Sequence, residues 1–497
     1  MSVGIVAHTQ TILFDNEMIT GIHKIIFNGT QKPTTDSFVK TTSPHLTDQY
    51  GGGSNICDSN GNLILFTDGF KLYDNNLNYI DNGDSLTPPK FAAYYETNGY
   101  SQSSLFLPFP NHQYYLFTPT VSDVEWDTKI ASGTHVNYDL LLCHKIDMNA
   151  NNGAGKVVKK GVPLLENVAL NKTNMMACKH GDGLNWWLFK QAWDTNMVYK
   201  FLVTADSIYD YGVQSFPILN LGWLDYNGKI MFNAQGTQYA VCLRSAGFTL
   251  DSIVATDVMP GKFMVADFDR CSGEISNPKV YQKKPETCHN PATPNCLENA
   301  TEGLCFSPNG RFIYVTDYSN IKQLDLWDTD TNTQWSLIAG MDTTWNAFQN
   351  YSSIYPGPDG RIYVGYWNGF ADYMSAILFP DNKGAACGWS PRYLKFPAIG
   401  VGALPCMPNY HLGKLPGCAT VGVSSYYSSK EEFEVYPNPS STKIVVRCQM
   451  SDVSKELYNS VGQLVLSTKE NEIDVHNLSR GIYYLKVGNV SRKVVVE

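Results

Sequence analysis

Long apolar runs are missing from this chain: no stretch approaches the roughly eighteen residues that a helix needs to cross a bilayer. Charge is scarce, at 17% of 497 residues, and none of the excess is basic, with 37 Lys and Arg against 46 Asp and Glu for a net −9. An acidic chain repels phosphate backbones, which argues against nucleic acid as a partner. Cysteine is thin for the length, at 12 residues, which excludes a disulfide-framed miniprotein. Apolar residues nowhere recur at helical spacing over a long stretch, which excludes coiled coils and alternating α/β folds. The patterns G-x-S-x-G, H-E-x-x-H, Walker A and the dinucleotide fingerprint are absent too, so the sequence implies no metal and no cofactor.

What abounds is punctuation. With 40 Gly, 25 Pro, 30 Tyr and 43% hydrophobic residues, the composition is that of short strands and tight turns rather than of a disordered chain. The length suits two or three domains. One theme recurs: a small polar turn followed by a short aromatic-rich strand. It appears in SNGNLILFTDG at Gly61, PNHQYYLFTPT at Asn111, GDGLNWWLFKQ at Gly183, AQGTQYAVCLR at Gly236, SPNGRFIYVTD at Gly310 and GPDGRIYVGYW at Gly360. The gaps of 50, 72, 53, 74 and 50 residues suit four-stranded units. Asn-Gly and Asp-Gly between alternating strands mark hairpins, because these residues accept positive φ. A second strand pair follows in KFMVADFDRCSGEI (262–275) and NIKQLDLWDTDTNTQW (320–335).

Small sheets with two apolar faces bury both by stacking radially, so the expected fold is all-β, a β-propeller. Six hairpins are visible, and ILFDN (12–16) is expected to pair with the last strands near 400–412 to close a seventh blade; six and eight blades are the alternatives. The propeller is expected over residues 1–418, with the N-terminal residues reading as the remnant of a signal peptide. Residues 419–434, Ser-rich and then acidic, read as a linker. Residues 435–497 read as a small Ig-like β-sandwich, with turn signals every 8–12 residues. That segment carries 8 basic and 6 acidic residues, so it is +2 while the remainder is −11. The two parts are built for different partners.

Several groupings invite a chemical reading. Cys288 and Cys296 bracket the loop HNPATPN and are the candidate disulfide in an oxidising compartment. Cys57, Cys242 and Cys305 lie in apolar strands and read as buried thiols. Asp328-x-Asp330-x-Asn332 opens like a calcium loop, yet Thr333 and Ala339 stand where Gly and Glu are needed, so it reads as a hairpin turn, as does Asp74-x-Asn76-x-Asn78. Cys178, His180 and Asp182 could be nucleophile, base and acid; between Gly181 and Gly183 they read better as a turn with a satisfied core histidine. The aromatic pairs Trp186-Trp187 and Tyr114-Tyr115 read as core between blades, leaving other aromatics as platforms for a ligand.

The tail is more specific. Tyr436-Pro437-Asn438-Pro439 opens it, Ser460-Val461-Gly462-Gln463 marks a turn, Leu478-Ser479-Arg480-Gly481-Ile482-Tyr483 a strand, and Lys493-Val494-Val495-Val496 the end. The two prolines cannot join a central ladder, so the first stretch is an extended lead-in. The segment closely resembles the type A C-terminal sorting domain of cargo of the type IX secretion system, a Gram-negative export route. The resemblance implies that Tyr436, Pro437, Asn438, Pro439, Gly462, Gly481, Tyr483 and Lys493 form a sorting signal. It implies a translocon and a sortase as partners, passage through the periplasm, and a final place at the cell surface or outside the cell. Residues 50–412 likewise look like secreted propellers that carry this sorting domain, which implies fold and route but no reaction. Two function classes follow: a non-catalytic binding module for a glycan or a protein, and a secreted hydrolase or lyase on polysaccharide with carboxylates at the propeller channel.

Overall fold

The computed structural model describes residues 15–20, 23–37, 53–94, 102–132, 136–193, 196–216, 228–242, 262–282, 301, 303–317, 320–340, 351–366, 371–401, 404–405, 407–418, 434–447, 454–459, 463–487 and 490–496. The chain divides into two compact units, Met1–Thr420 and Val421–Glu497.

In the first unit the turn chemistry acts as expected. All six positions that punctuate the repeat have positive φ: Gly61 (90°), Asn111 (61°), Gly183 (77°), Gly236 (67°), Gly310 (75°) and Gly360 (80°). Each turn is followed by a strand paired antiparallel with the one before it. Three four-stranded meanders result: Lys229–Phe232 to Glu274–Gln282, Gly303–Phe306 to Trp335–Ala339, and Tyr351–Pro356 to Trp389–Lys395. Two three-stranded ones precede them, Glu17–Thr20 to Thr34–Ser37 and Ser54–Cys57 to Leu72–Asp74.

Between these groups lies a seven-stranded sheet, from Leu105–Phe109 to Ile208–Ser215. Its middle member, Lys156–Lys179, is 24 residues long. The first half of that strand pairs with Tyr138–Asp147 and the second with Trp186–Ala192, and Leu170 is opposite both Tyr138 and Ala192. One continuous strand therefore ends one meander and begins the next.

Burial falls from the first strand of a meander to the last. Ser54–Cys57, Leu105–Phe109 and Gly303–Phe306 are buried at every position, whereas Ile208–Ser215 and Glu274–Gln282 are largely exposed. First strands of neighbouring meanders pack on one another, as Lys229–Phe232 does on Gly303–Phe306 and Gly303–Phe306 does on Tyr351–Pro356. Sheets standing edge-in around a shared axis are a β-propeller.

The strand pair expected to close the ring falls partly outside the described residues. Ile12–Phe14 lie outside the described residues, and those described between 400 and 412 form no strand. Pro405 and Pro408 have no N–H to give to a ladder. Side chains join the first and last sheets. Arg361 donates to the carbonyls of Thr30 and Gln31 at 2.9 and 3.1 Å, Thr35 Oγ1 donates to the Lys395 carbonyl at 2.6 Å, and Phe27 meets the edge of Tyr363. Two short helices, Pro89–Tyr94 and Asp123–Ser132, interrupt the β pattern and meet through Phe91 and Trp126.

A disulfide joins Cys271 to Cys418, 147 residues apart, with Cα atoms separated by 5.6 Å. Cys288 and Cys296 lie outside the described residues, as do residues 1–14 and the 419–433 stretch of the expected linker. Cys57, Cys242 and Cys305 are buried and outside any disulfide.

The second unit is a sandwich of two antiparallel sheets. One orders Glu434–Tyr436, Lys443–Arg447 and Glu472–Asp474; the other orders Leu464–Thr468, Lys455–Asn459, Gly481–Val487 and Val490–Val496. Every second residue of Lys443–Arg447 and Gly481–Val487 points inward, so Ile444, Val446, Leu457, Ile473, Leu485 and Val494 form a core of the unit's own.

Candidate binding site at the channel mouth

In an antiparallel meander the first and third turns lie at one end. At that end of the propeller the first strands finish around a cavity of about 260 Å³. Its walls come from Met176–Cys178, Met231, Phe232, Phe306 and Tyr355, all at the ends of first strands, together with Met18 and the stretch Met407–Leu412. Four of the 21 lining residues are methionines, although the chain has only 13. Four more are prolines: Pro308, Pro356, Pro358 and Pro408. Rigid backbone thus holds a rim around soft, adaptable thioether walls.

The polar side chains in this lining are Asp15, Ser307, Tyr355, Asn409 and His411. The Tyr355 hydroxyl accepts from Gln102 Nε2 at 3.3 Å, and two more are spent. Ser307 Oγ donates to Asn309 and accepts the Phe312 N–H, while Asn409 donates to the Ala234 carbonyl and accepts the His411 N–H. Asp15 and His411 pair with each other: His411 Nε2 lies 3.1 and 3.0 Å from the two carboxylate oxygens. This bond to Asp15 holds the His411 pKa above its ordinary value, against the opposing effect of burial.

Met407–Cys418 runs as a strap across this end. Lys179 Nζ donates to the Tyr410 carbonyl and Tyr410 Oη to that of Phe106. Burial, reinforced by the Arg270 cation, pushes Lys179 down to about 8. Arg270 donates to the carbonyls of Lys179, His180 and Gly413, and the Cys271–Cys418 bridge fastens the strap's end.

The three candidates read from the turn at 178–182 do not make a catalytic set. His180 is fully buried, with Nε2 donating to the Cys271 carbonyl at 3.0 Å and Nδ1 accepting the Asp182 N–H at 3.0 Å. Burial pushes the Cys178 thiol up to about 12, which leaves no thiolate at neutral pH. The suspected calcium loops are self-satisfied turns. Asp74 accepts the N–H groups of Asn76 and Asn78, and Asp328 accepts from Asp330, Thr333 and Lys383. Among the described residues no group of three His, Cys, Asp or Glu could hold a metal ion.

Trp186, Trp187, Tyr114 and Tyr115 are buried. Sequence reasoning missed the aromatics that are exposed. Trp327 (68% exposed), Phe379 (60%) and Tyr79 (57%) stand on third turns and Leu184 (55%) on a first turn, so all four share the end that carries the cavity. Trp327 rests under Arg311, its ring centre 5.1 Å from the guanidinium. The signal was available: each sits in a polar turn, where an apolar residue has no fold-based reason to be.

In the sandwich, several of the residues expected to form a sorting signal lie around the last strand. Asn438 Oδ1 accepts the Val495 N–H at 2.8 Å, and the Ser440 N–H donates to the Val495 carbonyl at 3.0 Å. Tyr436 ends the first strand, and Pro437 and Pro439 follow in the lead-in, each after a cis peptide bond. Gly481 opens the strand Gly481–Val487 and Tyr483 is buried within it, its hydroxyl donating to the Ser479 carbonyl at 2.8 Å. Lys493 pairs in register with Tyr484. Gly462 lies outside the described residues.

No curated protein matches the chain. Among solved structures it is similar to PorZ, a surface component of the type IX secretion system of Porphyromonas gingivalis, at 11% identity over 97% of this chain and 69% of that one, with a TM-score of 0.31. It is similar also to the β-propeller domain of Cps50 (Swd1) from Myceliophteria thermophila, at 11% identity, 80% and 97% coverage and a TM-score of 0.30. A third is hydrazine synthase from Kuenenia stuttgartiensis, at 12%, 76% and 98%, with a TM-score of 0.36. Residues 434–497 match the family described as secretion system C-terminal sorting domain. With its sandwich identified as such a domain, the chain is a cargo of the type IX secretion system, exported to the cell surface or beyond it.

Proposed function

We propose that the propeller is a non-catalytic binding module, exported to hold a ligand at the end where the cavity opens. One observation carries this reading: that end combines an apolar cavity with four exposed large apolar side chains, Tyr79, Leu184, Trp327 and Phe379. Apolar side chains on turns that need none for folding mark a contact surface. A glycosidase of the usual kind needs two carboxylates flanking one bond; among the described residues this cavity has one, Asp15, and it is paired with His411. Of the two ligand classes, glycan and protein, the scarcity of free polar groups in the cavity favours protein. A sugar ring would leave its hydroxyls unsatisfied there.

The test uses the full chain on a panel of polysaccharides and on a glycan array. No new reducing ends and no unsaturated products are expected. Turnover that disappears in Asp15→Asn would overturn the reading in favour of a hydrolase or lyase. Array retention lost in the double variant Trp327→Ala, Phe379→Ala supports the assigned face and makes the ligand a glycan; equal retention by both proteins overturns the face.

A further inference from the structure

The channel-mouth cavity has a more particular chemistry than an apolar hole, and its hydrogen-bonding capacity can be counted. Ser307 and Asn409 have their polar atoms engaged within the fold. Pro308 gives its carbonyl to Gln235 and Ala234 gives its own to Asn409. Asp15 differs. An ionised carboxylate offers about four acceptor sites, and among the described residues the partner of Asp15 is His411 alone, through one N–H. The Asp15 side chain is only 12% exposed, so water supplies little of the remainder. The lining contains no Lys or Arg, although the Lys179 cation is near enough to act on His411, and Asp15 is its one carboxylate.

The walls set the rest of the ligand. Met18, Met176, Met231 and Met407 with Phe232, Phe306 and Tyr355 present polarisable sulfur and ring faces, which accept compact apolar bodies of varied shape. An engineered cavity of about 150 Å³ takes a benzene ring, so about 260 Å³ takes a ring with a short chain. A carboxylate is excluded by Asp15, a sugar by unmet hydroxyls, and a bare alkane leaves the spare acceptors of Asp15 dry.

We propose that this cavity is a binding site for an alkyl- or arylalkyl-ammonium group, its apolar body against the methionines and its N–H groups on Asp15. The proposal rests on the binding-module reading and supplies the chemical class of what is bound. The same group reaches the site from two sources, a free amine or an amine borne by a peptide.

Isothermal titration of the full chain distinguishes these cases. The probes are 3-phenylpropylamine, 3-phenylpropan-1-ol, 3-phenylpropanoate, a lysine-containing hexapeptide and the same peptide with that lysine acetylated. The amine is expected to bind at least about tenfold more tightly than the alcohol, with the propanoate weakest. Asp15→Asn should lose that tenfold preference, while His411→Ala, which frees an acceptor position on Asp15, should keep or raise it; circular dichroism checks that both variants fold. A preference for the unmodified peptide over its acetylated form at affinities above those of the free amine points to a peptide source, and the reverse order to a small molecule. Equal binding of amine and alcohol, an undiminished preference in Asp15→Asn, or no binding of any amine overturns the proposal. Those results leave the binding face of Trp327 and Phe379 standing, whereas polysaccharide turnover would remove the face and leave the amine preference to be judged on its own.

Discussion

The two units of this chain are held together by different means. The sandwich core is aliphatic apart from Tyr483, and alternate residues of short strands supply it. The propeller buries Trp186, Trp187, Tyr239, Tyr314 and Tyr363 almost completely, and with them Lys190, His144, Asn174 and Asp68. Some of its buried polar groups pair across meanders, others within one, as His144 does with Thr118. Gln102 donates to the Ile230 carbonyl and accepts the Ile230 N–H, and Asn174 donates to the Cys242 carbonyl. Partners of this kind fix the order of neighbouring sheets, and each one left unpaired is costly. The sandwich, with its smaller core, also buries a charged side chain, Lys455, whose Nζ donates to the Lys469 carbonyl at 2.9 Å.

The contrast can be broken at its strongest point first. Replacing both Cys271 and Cys418 by serine opens a 147-residue loop and should lower the propeller's stability by up to about 5 kcal/mol on loop entropy, leaving the sandwich transition in place. Calorimetry showing both transitions unmoved would mean that the bridge contributes nothing to the ring. Next, Leu457→Ala removes a fully buried side chain from the sandwich, at about 3 kcal/mol, most of what so small a core supplies. The sandwich transition should vanish, surface display should fail, and the propeller transition should stay where it was; a surviving sandwich transition would show that the core tolerates the cavity.

Acid sharpens the comparison most gently. Burial pushes His144 down to about 3 and lowers His23 as well. Both are neutral in the folded ring and take up protons on unfolding at about pH 6.5. Their contribution is therefore complete above that pH and is lost as the pH falls toward the folded values. The sandwich has one histidine, His476, and it is exposed. Between about pH 7 and pH 4 the propeller's melting temperature should fall more than the sandwich's, and His144→Gln should flatten the slope; an unchanged slope in that variant would discard the assignment to this histidine.

Legibility in the sequence followed distance along the chain. Six turns with positive φ, the strand pairs at 262–275 and 320–335, and the self-capped aspartates at 74 and 328 were readable because each is settled by residues within about six positions. The sorting domain was readable for the same reason, its motifs lying within one short segment. The channel mouth was not. Asp15 meets His411 from 396 residues away, and the methionines come from four separate stretches. Nor was the Cys271–Cys418 bridge, since neither residue has a neighbour that marks it. Polarity in turns misled in one respect, because it drew attention from the apolar residues standing in those same turns, Trp327 and Phe379.

The strand Lys156–Lys179 has a mechanical consequence. Its first half belongs to the outer edge of one meander, and its far end supplies Met176–Cys178 to the cavity wall. It is a spoke running from rim to hub. A load applied at the rim near Lys159 travels to the axis along a single hydrogen-bonded rod, so these two neighbouring meanders should exchange their amide protons as one body, and a single nick in that rod should unfasten both.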